Sequence, residues 1–286
     1  MIFFLRRRGY GKDTCRELAS VMSHDVSVIR NTRVYSHHRF PQDTVIRWGC
    51  TTPVNARYEI NTSQAIHQVN DKMGFRRVLN EHELCPLTTF SITDLDPWGN
   101  ETDQHCYPVM VRPRTHARGI DIYICQTRRA LAHTCHQLGE GNYYISELIN
   151  KTAEYRVFIA QGRVLSVAKK IPEDPEAVAW NHAAGASFEN VRWDQWPLRA
   201  VRVSVEAFNL SSLDFGAIDV IVGQDNRAYV LEINTAPALE SEYRTECLAK
   251  AFDYMLDNGK ERIPLVEQRG GYRKFIHPAI CERALV

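Results

Sequence analysis

Two carboxylates and an amide near the end of the chain have the types and spacing of a divalent-metal site. Asp219, Glu232 and Asn234 lie in LDFGAIDVIVGQDNRAYVLEIN, which is two apolar runs joined by a polar turn. If the turn centres on Asp225-Asn226, antiparallel pairing puts Asp219 opposite Glu232 at about 5 Å, with Asn234 on the same face. Facing carboxylates repel each other unless positive charge lies between them. Their oxygens are ligands that Mg²⁺ takes together with substrate phosphates.

A hairpin with one solvated polar face is the alternative interpretation of this segment. The predicted core face carries the apolar side chains Ile218, Val220, Val222, Tyr229, Leu231 and Ile233. A slip of one residue in register would move the carboxylates to the opposite face and remove the metal site.

The composition limits the classes of function that the chain can have. It has 286 residues, 44% of them hydrophobic, which is enough for two lobes and a small extra domain. The net charge of +1 gives no general electrostatic case for binding nucleic acid or a membrane surface. Eight cysteines without paired spacing are typical of free thiols in a reducing compartment, so we expect a cytoplasmic protein. No apolar run approaches the ~18 residues of a membrane span, and the start is unlike a secretory signal.

Helical and strand-like segments alternate along the chain, which predicts a mixed fold. The first sixty residues indicate a small α/β unit, with a helix from Asp13 to Met22. Further helices are expected over Ser63–Leu84, Arg128–Leu138, Leu198–Asn209 and Glu242–Leu256. Strands are expected at PVMVRP, IDIYIC, YYISELI, EYRVFIA and RVLSVAKK. The segment WNHAAGASFENV is expected to be a polar loop, which either approaches a ligand closely or simply connects two elements.

Several charged residues before the hairpin have both a functional and a structural interpretation. Arg112 ends a strand before a basic loop from Arg114 to Gly119, where cations and backbone N–H groups suit phosphate oxygens, although a plain basic loop is the simpler interpretation. Glu154 and Arg156 are two residues apart on one strand face, where they either contact a ligand or pair with each other. Lys72, in a helical stretch, is on its own an ordinary solvated lysine.

Taken in order, four segments of the chain resemble an ATP-grasp ligase. They are NTSQAIHQVNDK, AEYRVFIAQGRVLSVAKK, FGAIDVIV and AYVLEINTAPAL, and the resemblance runs from about Asn61 to Leu256. It is closest to the group that includes ribosomal-protein glutamate ligases and phage-type carboxylate–amine ligases. The resemblance implies an α+β ATP-grasp fold, in which two lobes hold ATP between them. It also implies three regions: a small N-terminal α/β domain (1–60), the ATP-grasp domain (61–262) and a C-terminal extension (263–286).

The resemblance also implies roles for individual residues in binding ATP. Lys72 and Arg112 would bind its phosphates, although Arg112 stands where the family usually has lysine, which is not a neutral exchange. The loop from Arg114 to Gly119 would be the flap over those phosphates. The segment Glu147, Leu148 and Ile149 would contact adenine through its backbone, and Glu154 would bind the ribose hydroxyls.

The reacting end of the implied site carries the remaining residues. Arg156 would face the transferring phosphate or the acceptor carboxylate. Asp219, Glu232 and Asn234 would hold two Mg²⁺ ions, for which Mn²⁺ could substitute, and Asn181 would act at the same centre.

One basic position has two candidates, because two lines of reasoning disagree. A two-residue turn at Gln161-Gly162 puts Lys169 on the face of Arg156, whereas the resemblance favours Lys170. We prefer Lys170, because the length of the turn is itself a guess.

The activity implied by the resemblance is an ATP-dependent carboxylate–amine ligase that acts through an acyl phosphate. Its partners would be small-molecule or peptide carboxylates and amines, with no nucleic acid and no membrane. The location would be the cytoplasm, that of the host if the protein is encoded by a phage. The alternatives are an ATP-grasp kinase that phosphorylates a small molecule and an inactive nucleotide-binding module. The sequence gives neither the substrates nor the oligomeric state.

Overall fold

The computed structural model describes residues 1–31, 39–93, 107–114, 121–180 and 185–263. Asn181, the expected flap residues from 115 to 119, and the expected extension beyond residue 263 lie outside this part of the chain. Within it, the structure contains three sheets flanked by helices, so the α+β expectation is confirmed. No helix in the described ranges combines the length and the apolar character that crossing a bilayer would need.

The first sixty residues form a four-stranded parallel sheet, which we call the N-terminal sheet. Its strand order is β2-β1-β3-β4, with helix α1 between the first two strands in sequence. The elements are β1 (Ile2–Arg6), α1 (Lys12–Val21), β2 (Val26–Arg30), β3 (Arg39–Trp48) and β4 (Asn55–Ile60). This is the α/β unit expected from the sequence, although β1 and β4 were not among the expected strands.

Two helices replace the single helical stretch that was expected after β4. They are α2 (Ser63–Asn70) and α3 (Lys72–Glu81), and the break falls at Asp71. The Asp71 carboxylate accepts a hydrogen bond from the backbone N–H of Gly74 at 3.2 Å, which satisfies a free donor at the start of α3. Lys72 is therefore the first residue of a new helix.

An antiparallel sheet, the middle sheet, follows with the order β5-β8-β6-β7. Helix α4 packs against it, and the two share a separate hydrophobic core around Val109, Val111 and Leu131. The elements are β5 (Thr88–Thr89), β6 (Val109–Pro113), β7 (Tyr123–Cys125), α4 (Arg128–Leu138) and β8 (Tyr143–Glu147). The helix agrees with the prediction, whereas β5 is much shorter than the pattern after Pro86 suggested.

A five-stranded antiparallel sheet, the C-terminal sheet, has the order β11-β10-β9-β12-β13. Ser187–Val191 forms its edge strand, so the expectation of a polar loop throughout WNHAAGASFENV is wrong for these five residues. The elements are β9 (Lys151–Ala160), β10 (Arg163–Ile171), β11 (Ser187–Val191), α5 (Leu198–Asn209), β12 (Phe215–Gly223), β13 (Ala228–Asn234) and α6 (Glu242–Asn258).

The β12–β13 hairpin keeps the expected pair of carboxylates but reaches it by a different route. Val222 pairs with Ala228 near the turn, which is one residue away from the register expected for a turn at Asp225-Asn226. A bulge between Val220 and Asp219 then restores the expected pairing of Asp219 with Glu232. Because the bulge changes the alternation of faces on β13, Leu231 lines a cavity instead of the core.

The N-terminal and C-terminal sheets share one hydrophobic core. Trp48 stacks on Phe215 with ring centroids 5.5 Å apart, and Phe215 meets Phe252 of α6 edge-on at 4.8 Å. The buried Asn61, at the end of the N-terminal sheet, accepts from the backbone N–H groups of Asp214 and Phe215 and donates to the carbonyl of Phe215. These contacts join the two sheets through both apolar packing and hydrogen bonds.

Candidate active site

A cavity of about 410 Å³ lies between the middle sheet and the C-terminal sheet. The structure brings eleven of the twelve sequence-predicted site residues to its lining, and the twelfth, Asn181, lies outside the described residues. The eleven are Lys72, Arg112, Glu147, Leu148, Ile149, Glu154, Arg156, Lys170, Asp219, Glu232 and Asn234. Residues spread over more than 160 positions of sequence thus converge on one concave site.

Asp219 stands at the centre of a row of register partners across three strands. Its strand β12 lies between β9 and β13, and its partners on the two sides are Arg156 and Glu232. The Arg156 guanidinium donates to both carboxylate oxygens of Asp219, with Nε–Oδ1 at 2.7 Å and Nη2–Oδ2 at 2.9 Å. The positive charge that two facing carboxylates require is therefore supplied by side chains in this structure.

Glu232 has a different cationic partner from Asp219. The Nζ of Lys72, at the start of α3, donates to Oε2 of Glu232 at 2.5 Å. This pair is partly exposed to the cavity, with about a third of each side chain accessible. The contact connects the expected phosphate-binding lysine directly to an expected metal ligand.

Lys170, and not Lys169, is the lysine that lies among the buried carboxylates. Its Nζ donates to Oε1 of Glu154 and, at 3.0 Å, to Oδ2 of Asp219, whereas Lys169 is exposed. A bulge in β10 between Val164 and Ser166 shifts the register by one residue relative to a regular hairpin. The geometric argument for Lys169 was wrong because it assumed a regular ladder after the turn.

The buried charges at this centre hold one another in their ionised forms. Burial alone would raise the pKa of Asp219, but Arg156 and Lys170 hold it well below its usual range. Burial likewise opposes the charge of Lys170, but Asp219 and Glu154 raise its pKa above the ordinary lysine value. The centre therefore keeps a fixed pattern of alternating charges at neutral pH.

A second group of cations lines the cavity from α3 and the middle sheet. Arg112 is largely buried, and burial lowers its pKa. Its Nε has no hydrogen-bond partner among the described residues. Arg76, which the sequence analysis missed, lies one helical turn after Lys72 and donates to the Leu231 carbonyl at 3.2 Å. The four-residue spacing from Lys72 was the signal that could have identified it.

The opposite end of the cavity contains an aromatic and cationic pair that was also missed. The Nζ of Lys151 lies 4.1 Å from the centre of the Trp180 ring and donates to Glu154 Oε2 at 3.0 Å. Trp180 is buried, and its Nε1 has no partner in the part of the chain that the structure describes. Nearby, the backbone N–H of Glu147 donates to the Leu87 carbonyl, so that donor is already used.

The lining suits a nucleotide and a hard divalent cation. Asp219, Glu232 and Asn234 present carboxylate and amide groups to one cavity, and the Nδ2 of Asn234 is buried without a partner among the described residues. No three His, Cys, Asp or Glu side chains within the described ranges form a metal-binding group, so the expected donor set depends on the Asn234 amide. Oxygen donors next to several cations are the combination that Mg²⁺ and phosphate share in proteins.

A neighbouring cavity of about 390 Å³ adjoins this one and shares Lys72, Glu232 and Asn234 with it. Its far wall comes from the N-terminal sheet and includes Tyr10 and Trp48. The site is therefore larger than a nucleotide alone requires.

Comparison with solved structures shows the fold. A Chryseobacterium gregarium RiPP-associated ATP-grasp ligase, in complex with ADP and a leader and core peptide, aligns with a TM-score of 0.62 at 13% identity, covering 93% of this chain and 100% of that one. ATP-grasp ligase PsnB with a minimal precursor gives 0.60 at 14%, covering 87% and 97%. D-alanine–D-alanine ligase from Bacillus anthracis with ATP gives 0.59 at 14%, covering 90% and 94%.

Comparison with protein families identifies the chain more directly than these distant structural relatives do. No curated protein matches it by sequence. A family model described as an ATP-grasp domain, the second family of its clade, matches residues 92–250, which is more than half of the chain. The resemblance to the ATP-grasp carboxylate–amine ligase superfamily is confirmed, and the chain belongs to this family of ATP-grasp domains.

Proposed function

We propose that the protein is an ATP-dependent ligase that joins a carboxylate to an amine. The observation that carries the proposal is the row Arg156–Asp219–Glu232 across three strands, which lines one cavity with Lys72 and Arg112. This arrangement provides both oxygen ligands for a cation and guanidinium and ammonium donors for phosphate oxygens.

The proposed chemistry has two steps. A substrate carboxylate attacks the γ-phosphorus of ATP, which gives an acyl phosphate and releases ADP. An amine then attacks the acyl carbon, which gives an amide and releases phosphate, while the amine loses a proton to solvent. Because the first step brings two anions together, catalysis depends mainly on neutralising and aligning them.

The residues of the cavity have distinct roles in this proposal. Lys72 and Arg112 bind phosphate oxygens, and Arg156 faces the transferring phosphate. Lys170 holds Asp219 and Glu154 in place, and Glu154 is available to the ribose hydroxyls. The backbone of Glu147, Leu148 and Ile149 contacts adenine at the other end.

Metal binding in this proposal falls to Asp219, Glu232 and Asn234, with Asn181 acting nearby. Magnesium ions held there would neutralise charge on the phosphates during transfer. Since Lys72 pairs with Glu232 in this structure, that ion pair has to open before the two groups can serve phosphate and metal separately.

We also propose the domain boundaries that the sequence suggested. The regions are the N-terminal domain (1–60), the ATP-grasp domain (61–262) and the extension (263–286). The separate parallel topology of the N-terminal sheet supports the first of these boundaries.

The experiment that tests the proposal is a screen for ADP release over pooled amino acids and peptides, with Mg²⁺ or Mn²⁺, followed by mass spectrometry. The expected result is ADP release that requires a carboxylate and an amine, together with free phosphate and a product heavier by the condensed amine. A stable phosphorylated product would instead identify a kinase. Nucleotide binding without turnover in any pool would indicate a binding module and overturn the proposal.

A further inference from the structure

Three cations surround a single phenyl ring at the reacting end of the cavity. Phe188 of β11 is the register partner of Lys170. The guanidinium of Arg156 lies 4.7 Å from the ring centre, the Nζ of Lys170 lies 5.6 Å from it, and the guanidinium of Arg244 lies 6.0 Å from it. Arg156 and Lys170 are both neutralised by Asp219.

Arg244 differs from the other two cations because no carboxylate among the described residues forms a salt bridge with it. It lies in the first turn of α6 with only 2% of its surface exposed. Its Nε donates to the Leu239 carbonyl, but Nη1 and Nη2 have no hydrogen-bond partner in the described part of the chain. An uncompensated buried guanidinium is costly to the fold, so its presence points to an anion that binds there.

The carboxylate of Glu240 lies close to this unpaired cation without forming a salt bridge to it. Glu240 is exposed, lines the cavity and has a left-handed backbone with φ of 54°. It is near enough to act on both arginines, since its charge raises the pKa of Arg244 against the lowering effect of burial and also raises that of Arg156. The site thus has a buried cation with an exposed anion beside it.

We propose that Arg244 and Glu240 bind the amine substrate and that this substrate is a free α-amino acid. The two Nη groups of Arg244 would hold its α-carboxylate, and Glu240 would accept hydrogen bonds from its α-ammonium group. With Nε already used, the two Nη groups form a fork that matches one planar carboxylate. The Glu240 carboxylate disfavours a phosphate at the same place because two anions repel. The inference rests on the proposed ligase function.

A comparison of two substrates tests the assignment through kinetics. The amino acid that releases most ADP is compared with its carboxamide, which keeps the amine but lacks the charged carboxylate. For Arg244→Met, we expect KM for the amino acid to rise about 10- to 100-fold, with kcat and the carboxamide kinetics little changed. Arg202→Met is the matched control, because Arg202 pairs with Glu206 on the surface of α5. Equal KM values for the wild type and Arg244→Met would overturn the proposal.

Thermal denaturation gives a readout that does not depend on turnover. The amino acid should raise the Tm of the wild type and of Arg202→Met but not that of Arg244→Met. Without ligand, Arg244→Met should be no less stable than the wild type, because it removes a buried unpaired charge. Protection by inorganic phosphate at lower concentration than by the amino acid, lost in Arg244→Met, would show a phosphate site and overturn the assignment.

A second variant covers the case in which Arg244→Met does not fold. Arg244→Lys keeps the charge but not the fork, so it should still raise KM for the amino acid and leave the carboxamide unaffected. If the wild type releases no ADP with any amine, the ligase proposal fails. The Tm shift then decides by itself whether Arg244 binds an amino acid.

Discussion

Asp219 and Glu232 are register partners on neighbouring strands, yet each carboxylate is held by cations from a different part of the chain. Arg156 and Lys170 of the same sheet hold Asp219, whereas Lys72 of α3 holds Glu232. Asp219 is buried, and Glu232 remains partly open to the cavity. The two carboxylates therefore contribute differently: Asp219 is fixed within the sheet, and Glu232 is free to exchange partners.

Glu232→Ala should abolish amine-dependent ADP release while leaving the fold intact. The loss should be about 100-fold or more, because a group that stabilises developing charge is removed. The fold should survive because the side chain is partly exposed and its salt bridge is to a partly exposed lysine. ADP release and circular dichroism measure the two effects, with Glu206→Ala on α5 as the control. An active Glu232→Ala enzyme would rule the mechanism out.

Lys170→Met should lower the free energy of unfolding by about 3–5 kcal/mol, because Glu154 and Asp219 would lose the buried cation between them. Lys169→Met is the matched control, since the neighbouring lysine is exposed and should change stability by less than about 0.5 kcal/mol. Urea denaturation measures both variants. Similar midpoints for the two would show that Lys170 does not neutralise a buried pair.

The contrast between Lys169 and Lys170 shows what the sequence could and could not predict. Alternation along β10 limits the choice to one of two faces, but a single bulge reverses the answer. The same holds for β13, where a bulge changes the face of Leu231 although the predicted Asp219–Glu232 pair is kept. Local patterns located the strands and most of the site, whereas register depended on packing between strands.

Arg112→Met should weaken the binding of a non-hydrolysable ATP analogue by about 10- to 100-fold, which calorimetry would measure. The Tm without nucleotide should not fall, because burial disfavours the charge of Arg112 and its Nε has no partner among the described residues. Arg112→Lys should recover part of the affinity, as the charge returns without the planar fork. Arg129→Met, exposed on α4, serves as the control. Unchanged affinity in Arg112→Met would remove Arg112 from the phosphate site.

Stability should depend on pH through His24, which joins the N-terminal sheet to α6. Its Nδ1 lies 2.9 Å from Asp253, its Nε2 lies 3.1 Å from Asp257, and the hydrogen bond to Asp253 is the main cause of its raised pKa. A raised pKa gives a contribution that is complete below the ordinary value of about 6.5 and is lost as pH rises through the folded-state value. We expect it to be under about 1 kcal/mol.

Unfolding of the wild type and His24→Gln over a range of pH measures this contribution. The difference in Tm should be largest in mild acid and should disappear in mild alkali. A difference that stays constant with pH would mean that His24 acts through packing and not through charge.

Residues whose role depends on distant parts of the chain could not be found from the sequence. Arg244 is an ordinary helical arginine by local pattern, and only the approach of Phe188 and Arg156 shows that it lies beside the cavity. Asn61 likewise reads as a loop residue until its contacts with Asp214 and Phe215 are known. Lys72, Asp219 and Glu232 were found because motif resemblance supplied the long-range information that spacing alone lacks.

The two separate hydrophobic cores have a mechanical consequence. One core unites the N-terminal and C-terminal sheets, whereas the middle sheet and α4 have their own. Widening the cleft between them exposes little apolar surface, so ligands can enter and leave without partial unfolding. The three residues from Leu148 to Asn150 join β8 to β9 across this boundary, and two of them line the nucleotide end of the cleft. Occupancy of that end and the angle between the lobes are therefore set at the same hinge.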